Sequence, residues 1–199
     1  MIHEPQLSIE EIDALGIVPG LPDEAFEHDG LITKRHQRAT AFAFLRPAPG
    51  KLMWDVGTGS GAMAIEWCRA AKNARAIGVE QKPERAARAR RNGERLAPGH
   101  FEVVEGPADE VIETLPAPDA IFIGGGASQK VVEGCWDALA EGGRLVVHAV
   151  TVETEVVLAN MNKAHGGQLS RISVEISNPL GSFRGFVPYR PVTQWAVQK

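Results

Sequence analysis

An apolar run over residues 51–56 leads into Gly57-Thr58-Gly59-Ser60-Gly61, three glycines at alternate positions, and an amphipathic run follows from Met63. This is the pattern of a strand, a tight turn and a helix start. Glycine belongs where the backbone takes positive φ or touches a ligand closely. The first turn of a helix presents unpaired N–H groups to whatever lies there. A second apolar run, residues 75–80, ends in Glu80, 23 residues after Gly57. A carboxylate at that distance is placed to accept hydrogen bonds from both ribose hydroxyls of a nucleoside. The element therefore predicts a nucleoside-containing cofactor.

Two cofactors compete for such a turn. Gly57, Gly59 and Ala62 satisfy the G-x-G-x-x-G/A fingerprint of dinucleotide binding. Gly61, however, makes the pattern G-x-G-x-G, and Asp55 stands two residues before the first glycine. A carboxylate beside a dianionic pyrophosphate costs free energy in a partly dry site. S-adenosyl-L-methionine carries no phosphate, and its sulfonium and ammonium groups tolerate an acid. The turn thus favours this methyl donor, with Asp55, Gly57, Thr58, Gly59, Ser60, Gly61 and Glu80 as cofactor-binding candidates. Asp55 has a compatible second role, ordering the turn through backbone N–H groups. Glu105-Gly106-Pro107-Ala108 closes a third strand, beside which an adenine would lie, and Ala108 is the candidate contact.

The chain has 199 residues, 44% hydrophobic, and a net charge of −4. That suits one domain of ordinary size, taken as residues 31–199, with an N-terminal extension over 1–30. The acidic balance argues against a nucleic-acid partner. Cys68 and Cys135 fall among apolar residues in predicted helices and read as reduced core residues, which points to the cytoplasm. No His or Cys spacing suits a metal, and no apolar stretch is long enough to span a bilayer.

Residues 1–6 read as loose, and Ser8-Ile9-Glu10-Glu11 has the form of a capping box opening a short helix. A helix is expected over 33–45. From residue 51 strands (51–56, 75–80, 101–105, 119–124, 144–150) alternate with helices (60–72, 83–96, 109–115, 128–140, 153–165). Such alternation implies right-handed crossovers in an α/β fold, a doubly wound sheet that binds ligands beyond the carboxyl ends of its strands. Residues 168–177 read as one strand with a phase slip, joined by a loop over 178–190 to a last strand at 192–198. The expected fold is Rossmann-like, of the S-adenosylmethionine-dependent methyltransferase kind. Its sheet is seven-stranded and mostly parallel, and it ends in an antiparallel hairpin.

Several constellations suggest a substrate site. Gly124, Gly125 and Gly126 follow a buried strand and let backbone lie flush against a ligand. Lys34, Arg35 and Arg38 precede the first strand, while Arg184 and Arg190 lie among Phe183, Phe186 and Tyr189. Arginines interleaved with aromatics suit a flat ligand bearing carboxylates. The run Arg85, Arg88, Arg90, Arg91 and Arg95 reads instead as a solvated helix face. His148 at a strand end, with Glu153 nearby, is a candidate acid–base group, and a structural histidine is the equal alternative.

Four segments together extend the reading. Gly30-Leu-Ile-Thr-Lys-Arg35, Trp54 to Gly61, Phe122-Ile-Gly-Gly-Gly126 and Ala149-Val-Thr-Val-Glu-Thr154 occur in this order. The chain resembles, from about Leu21 to Val192, the carbon-15 methyltransferases of cobalamin biosynthesis. These also occur as the C-terminal half of precorrin-6Y C5,15-methyltransferase (decarboxylating). The resemblance implies a homotetramer that methylates a precorrin, a tetrapyrrole, at carbon 15 and removes carbon dioxide from the carbon-12 acetate. It adds Thr33 to the cofactor contacts and agrees on Gly57 to Gly61, Glu80 and Ala108. Pro107 departs from the family's Gly-Asp-Ala run, and Gly126-Ala127-Ser128 from its Gly-Ser-Gly-Gly. The bifunctional relatives carry a further carbon-5 methyltransferase domain, so the expectation is a standalone enzyme or a C-terminal portion of a fused one. The glycine turn by itself also fits a tRNA or protein methyltransferase, or a non-catalytic binder of the same cofactor.

Overall fold

The strand–helix alternation from residue 51 onward becomes a single seven-stranded sheet in a computed structural model describing all 199 residues. The parallel strands are β1 (Leu52–Val56), β2 (Arg75–Glu80), β3 (Phe101–Glu105), β4 (Ala120–Ile123) and β5 (Arg144–Ala149). β6 (Gln168–Ile172) closes the sheet at its edge, and a strand over Val192–Gln198 lies antiparallel between β5 and β6. The chain steps outward from β1 to β2 and β3, then returns to place β4 on the other side of β1. That return is a topological switch point.

Alternate side chains of each strand serve two separate cores, as a sheet covered on both faces requires. Met53, Ala76, Phe122 and Val146 belong to a cluster of 23 buried residues beneath α2 (Arg35–Leu45) and α3 (Ala62–Ala70). Trp54, Ile77, Ile121 and Val147 belong to a cluster of 18 on the opposite face. This face is covered by the helices Gln129–Ala138 and Val152–His165. The helix Pro83–Leu96, hereafter α4, packs Ala86 and Ala89 onto Val103. Cys68 and Cys135 are both buried and unpaired. No helix is long and apolar enough to cross a membrane.

The phase slip in 168–177 is where the chain leaves the sheet: β6 stops at Ile172, and a new strand, β7, runs from Glu175 to Leu180. The expected loop instead supplies β8 (Phe183–Pro188), which pairs with β7 as a separate two-stranded ribbon. Leu180, Phe183 and Phe186 are each more than two-thirds exposed on it. Residues 1–6 are not loose either. His3 and His28 exchange backbone hydrogen bonds of 2.8 and 3.0 Å, and their rings stack at 4.6 Å.

The arginine run on α4 is only in part a solvated face: the side chains of Arg90 and Arg91 are 41% and 57% exposed, yet every one of the five has a partner, Glu105 in the case of Arg90. Arg85 binds Asp29 at 2.8 Å, Arg91 binds Glu27 through two bonds of 2.9 and 2.6 Å, and Arg88 is buried between both acids. Arg95 donates to the carbonyls of Leu7 and Ala25. The acids and carbonyls of residues 1–30 are the counterpart that composition did not reveal. Ile12, Leu21, Ala25 and Phe26 of this extension complete the same core that α2 and α3 bury.

Candidate functional site

Between the tips of β1, β2, β3 and β4 lies a cleft of about 260 Å³, walled by Gly57, Glu80, Gly106, Ala108, Gly125 and Gly126. The glycine turn enters it at Gly57. Gly57 has φ +74°, and a Cβ there would sit 2.7 Å from the Gly125 carbonyl oxygen. The turns after β1 and β4 therefore meet with nothing between them. Gly59 and Gly61 also have positive φ, and α3 begins directly after the latter.

Asp55 lies beneath the turn rather than in the cleft. It is 2% exposed and accepts hydrogen bonds from the Thr58 hydroxyl at 2.6 Å and the Ala64 N–H at 3.1 Å. Burial raises its pKa to about 6, against the pull of those two donors. Of the two compatible roles expected of it, these bonds show the turn-ordering one. Thr58 and Ser60 are likewise buried. Glu80 reaches the cleft. One carboxylate oxygen accepts from the Gly59 N–H at 3.1 Å and the other from the Lys82 N–H at 3.0 Å. A carboxylate offers about four acceptor positions, so roughly two remain for a diol.

The segment before α2 runs past the turn, with the Leu31 carbonyl 3.9 Å from where a Gly59 Cβ would stand. This brings Thr33, half-buried, to the same end of the molecule. Lys34 lies 5.9 Å from the Tyr189 ring centroid, and the Gln37 side chain donates to the Arg190 carbonyl at 3.4 Å. The structure thus gathers Lys34 and Arg190 at the start of α2, with Arg35 exposed beside them. Arg184 is not part of this group, for it binds the Ser177 hydroxyl and carbonyl within the ribbon at 2.9 and 2.8 Å.

Arg38 is wholly buried and cannot meet a substrate. Its guanidinium binds Glu66 and Asp23, each at 2.8 Å, and the carbonyls of Leu21 and Thr33. His148 also departs from expectation. It is 6% exposed, hydrogen-bonded to the Gln194 side chain at 2.9 Å and set edge-on to Phe122. Burial lowers its pKa to about 4, so at neutral pH it is an uncharged structural histidine. Glu153 is exposed in the first turn of its helix.

Sequence reasoning missed Lys82 and Arg85 at the cleft mouth, and Asn92 behind the turn. A signal existed for the burial of Arg38. Glu66 interrupts an otherwise apolar buried helix, and a buried carboxylate demands a buried cation. No comparable signal marks Asn92.

Residues 24–199 match the family model described as the precorrin methyltransferase domain. A precorrin-6Y C5,15-methyltransferase (decarboxylating) of Sinorhizobium sp is 46% identical over 186 residues, covering 93% of this chain and 45% of that protein. Its counterpart in Mycobacterium tuberculosis strain H37Rv is 41% identical over 206 residues, covering 98% of this chain and 52% of that protein. The chain spans about half the length of the curated relatives it matches. The solved C-terminal domain of precorrin-6Y C5,15-methyltransferase from Rhodobacter capsulatus superposes with a TM-score of 0.86 at 43% identity, covering 92% of this chain and all of that one.

Proposed function

The chain belongs to the precorrin methyltransferase family, and on that premise we propose that it methylates a precorrin at carbon 15, using S-adenosyl-L-methionine. In the same reaction the carbon-12 acetate side chain loses carbon dioxide, a step in building the corrin ring of cobalamin. The observation that carries this reading is the cleft itself. The side-chain-free Gly57, a carboxylate with spare acceptor positions and a small residue at the third strand converge in it. A phosphate-free nucleoside fits that set.

Thr33, Gly57, Thr58, Gly59, Ser60, Gly61, Glu80 and Ala108 would hold the cofactor, which supplies an activated sulfonium methyl. The protein's own work is then mainly alignment. Lys34, Arg35 and Arg190 bind peripheral carboxylates of the tetrapyrrole, Arg190 and Arg35 being able to do so bidentately. Gly124, Gly125 and Gly126 let the macrocycle edge approach the strand tips. A meso carbon of a reduced tetrapyrrole is electron-rich and needs no strong base, which agrees with the neutral, inward-facing His148. Exclusion of water around the leaving carboxylate favours its loss.

The reading extends to assembly and place. Residues 31–199 form the methyltransferase domain proper, working in the cytoplasm beside, or fused to, a carbon-5 methyltransferase domain. The buried free thiols of Cys68 and Cys135 support a reducing compartment. A two-stranded ribbon is marginal by itself, and exposed Leu180, Phe183 and Phe186 support its use in a homotetramer. Phe183→Ser with Phe186→Ser should lower the assembly mass in light scattering; an unchanged mass contradicts that use.

Incubation with S-adenosyl-L-methionine and a precorrin, followed by mass spectrometry, tests the activity. Gain of one methyl with loss of carbon dioxide is expected. Cofactor turnover without the tetrapyrrole changing mass overturns the proposal.

A further inference from the structure

Residues 20–33 leave α3, reach α4 at Glu27 and return past the glycine turn to the start of α2. Besides the α4 arginines that bind Glu27 and Asp29, two buried polar side chains hold them there. At one end Arg38, with no solvent exposure, ties Asp23, the Leu21 carbonyl and the Thr33 carbonyl to Glu66. Glu66 also accepts the backbone N–H of Leu21 at 3.2 Å and that of Gly20. At the other end stands Asn92 of α4, 2% exposed. Its side-chain oxygen accepts from the Glu27 N–H at 3.0 Å, and its NH₂ donates to the Glu27 carbonyl at 2.9 Å and to the Ser60 carbonyl at 2.8 Å.

The orientation of that amide is fixed by its partners. Turned over, it would set an NH₂ against an N–H and an oxygen against two carbonyls. Asn92 is therefore one side chain bonded to two segments that are 33 residues apart in sequence, Glu27 of the crossing segment and Ser60 of the turn. A buried, fully satisfied polar link of this kind rigidifies what it joins.

We propose that residues 20–33 are a strap fastened by Arg38–Glu66 and by Asn92, and that Asn92 is a positioning residue coupling the strap to the glycine turn. The inference rests on the cleft being the adenosyl site. Asn92 touches no ligand in this account. It sets the separation of Ser60 and the strap, and hence of the turn and Thr33, so that the cleft is formed before the cofactor arrives. Preformed sites bind more tightly because less ordering remains to be done on binding.

The test compares Asn92→Ala with Arg91→Ala in the full chain. Arg91 lies on the same helix and binds the same strap residue, Glu27, but through its exposed side and without reaching Ser60. Both variants remove an anchor of Glu27, so both should lower the melting temperature. Calorimetric titration with S-adenosylhomocysteine should separate them: at least a tenfold weaker Kd for Asn92→Ala, and less than twofold for Arg91→Ala. Equal effects, or an Asn92→Ala protein that is folded and binds within twofold of the parent, overturn the proposal.

Hydrogen exchange on the unaltered, ligand-free protein decides the matter even where Asn92→Ala does not fold. The amides of 27–33 and 57–61 should open as one unit, and strap amides that exchange far faster than those of the turn overturn the coupling. Failure of the unaltered protein to bind S-adenosylhomocysteine strikes at the cofactor reading alone, because the ligand-free exchange still scores the strap.

Discussion

Gly57 and Gly125 face each other where the turns after β1 and β4 meet, yet the two should respond very differently to the same added methyl group. A Cβ on Gly57 would lie 2.7 Å from the Gly125 carbonyl oxygen and would have to form at φ +74°. The left-handed conformation costs an L-residue about 1–2 kcal/mol. Displacing a packed backbone turn costs about 1–3 kcal/mol more, so Gly57→Ala should destabilise the protein by about 2–5 kcal/mol. A Cβ on Gly125 meets nothing within 4 Å and needs no positive φ. Gly125→Ala should therefore stay within about 0.5 kcal/mol of the parent, as surface substitutions usually do. Urea unfolding of both variants measures the stability gap. Calorimetry with S-adenosylhomocysteine should add at least a tenfold loss of affinity, about 1.4 kcal/mol, for Gly57→Ala. Similar stabilities for the two variants would refute the close-contact argument for this turn.

Glu80→Ala should weaken S-adenosyl-L-methionine at least tenfold in calorimetry, since a charge-assisted pair of bonds to a diol is lost; unchanged affinity contradicts the ribose contact. Arg38→Met leaves the Glu66 carboxylate buried without its cation and should cost about 3–5 kcal/mol in urea unfolding, whereas a loss under about 1 kcal/mol would make the cluster incidental. Asp55 and His148 pull stability in opposite directions with pH. The Asp55 pKa is raised to about 6, so its contribution is full below the unfolded value and is lost as pH rises through 6. The His148 pKa is lowered to about 4, so its contribution is present above the unfolded value and is lost as pH falls through 4. Each shift corresponds to about 3 kcal/mol. Asp55→Asn should consequently gain stability relative to the parent as pH rises from 4 to 6.5, by up to about 3 kcal/mol. A difference that stays constant across that window contradicts the buried-acid account.

What was legible in the sequence was local or periodic. The strand–turn–helix at Gly57, Glu80 at the end of β2 and the order of strands all follow from neighbouring residues obeying one backbone geometry. The cleft follows from that order, because a doubly wound sheet has its crevice where the strand sequence reverses. What escaped was non-local. Residue type alone made Arg38 look like a ligand for carboxylates, although its partner, Glu66, lies 28 residues away on another helix. Arg85, Arg88 and Arg91 of α4 looked solvated because their partners, Glu27 and Asp29, belong to a segment with no periodicity of its own. The phase slip near residue 173 was visible, but a slip within a strand and a departure from the sheet give the same pattern until the partners of β7 are known.

A crystal structure of the protein with S-adenosylhomocysteine would test the account most directly. It should show the adenosyl group lying across the tips of β1, β2 and β3, with both ribose hydroxyls on the Glu80 carboxylate and the amino-acid tail over Gly57–Gly61. A structure with the ligand bound elsewhere, or with Glu80 turned away from the sugar, would contradict it.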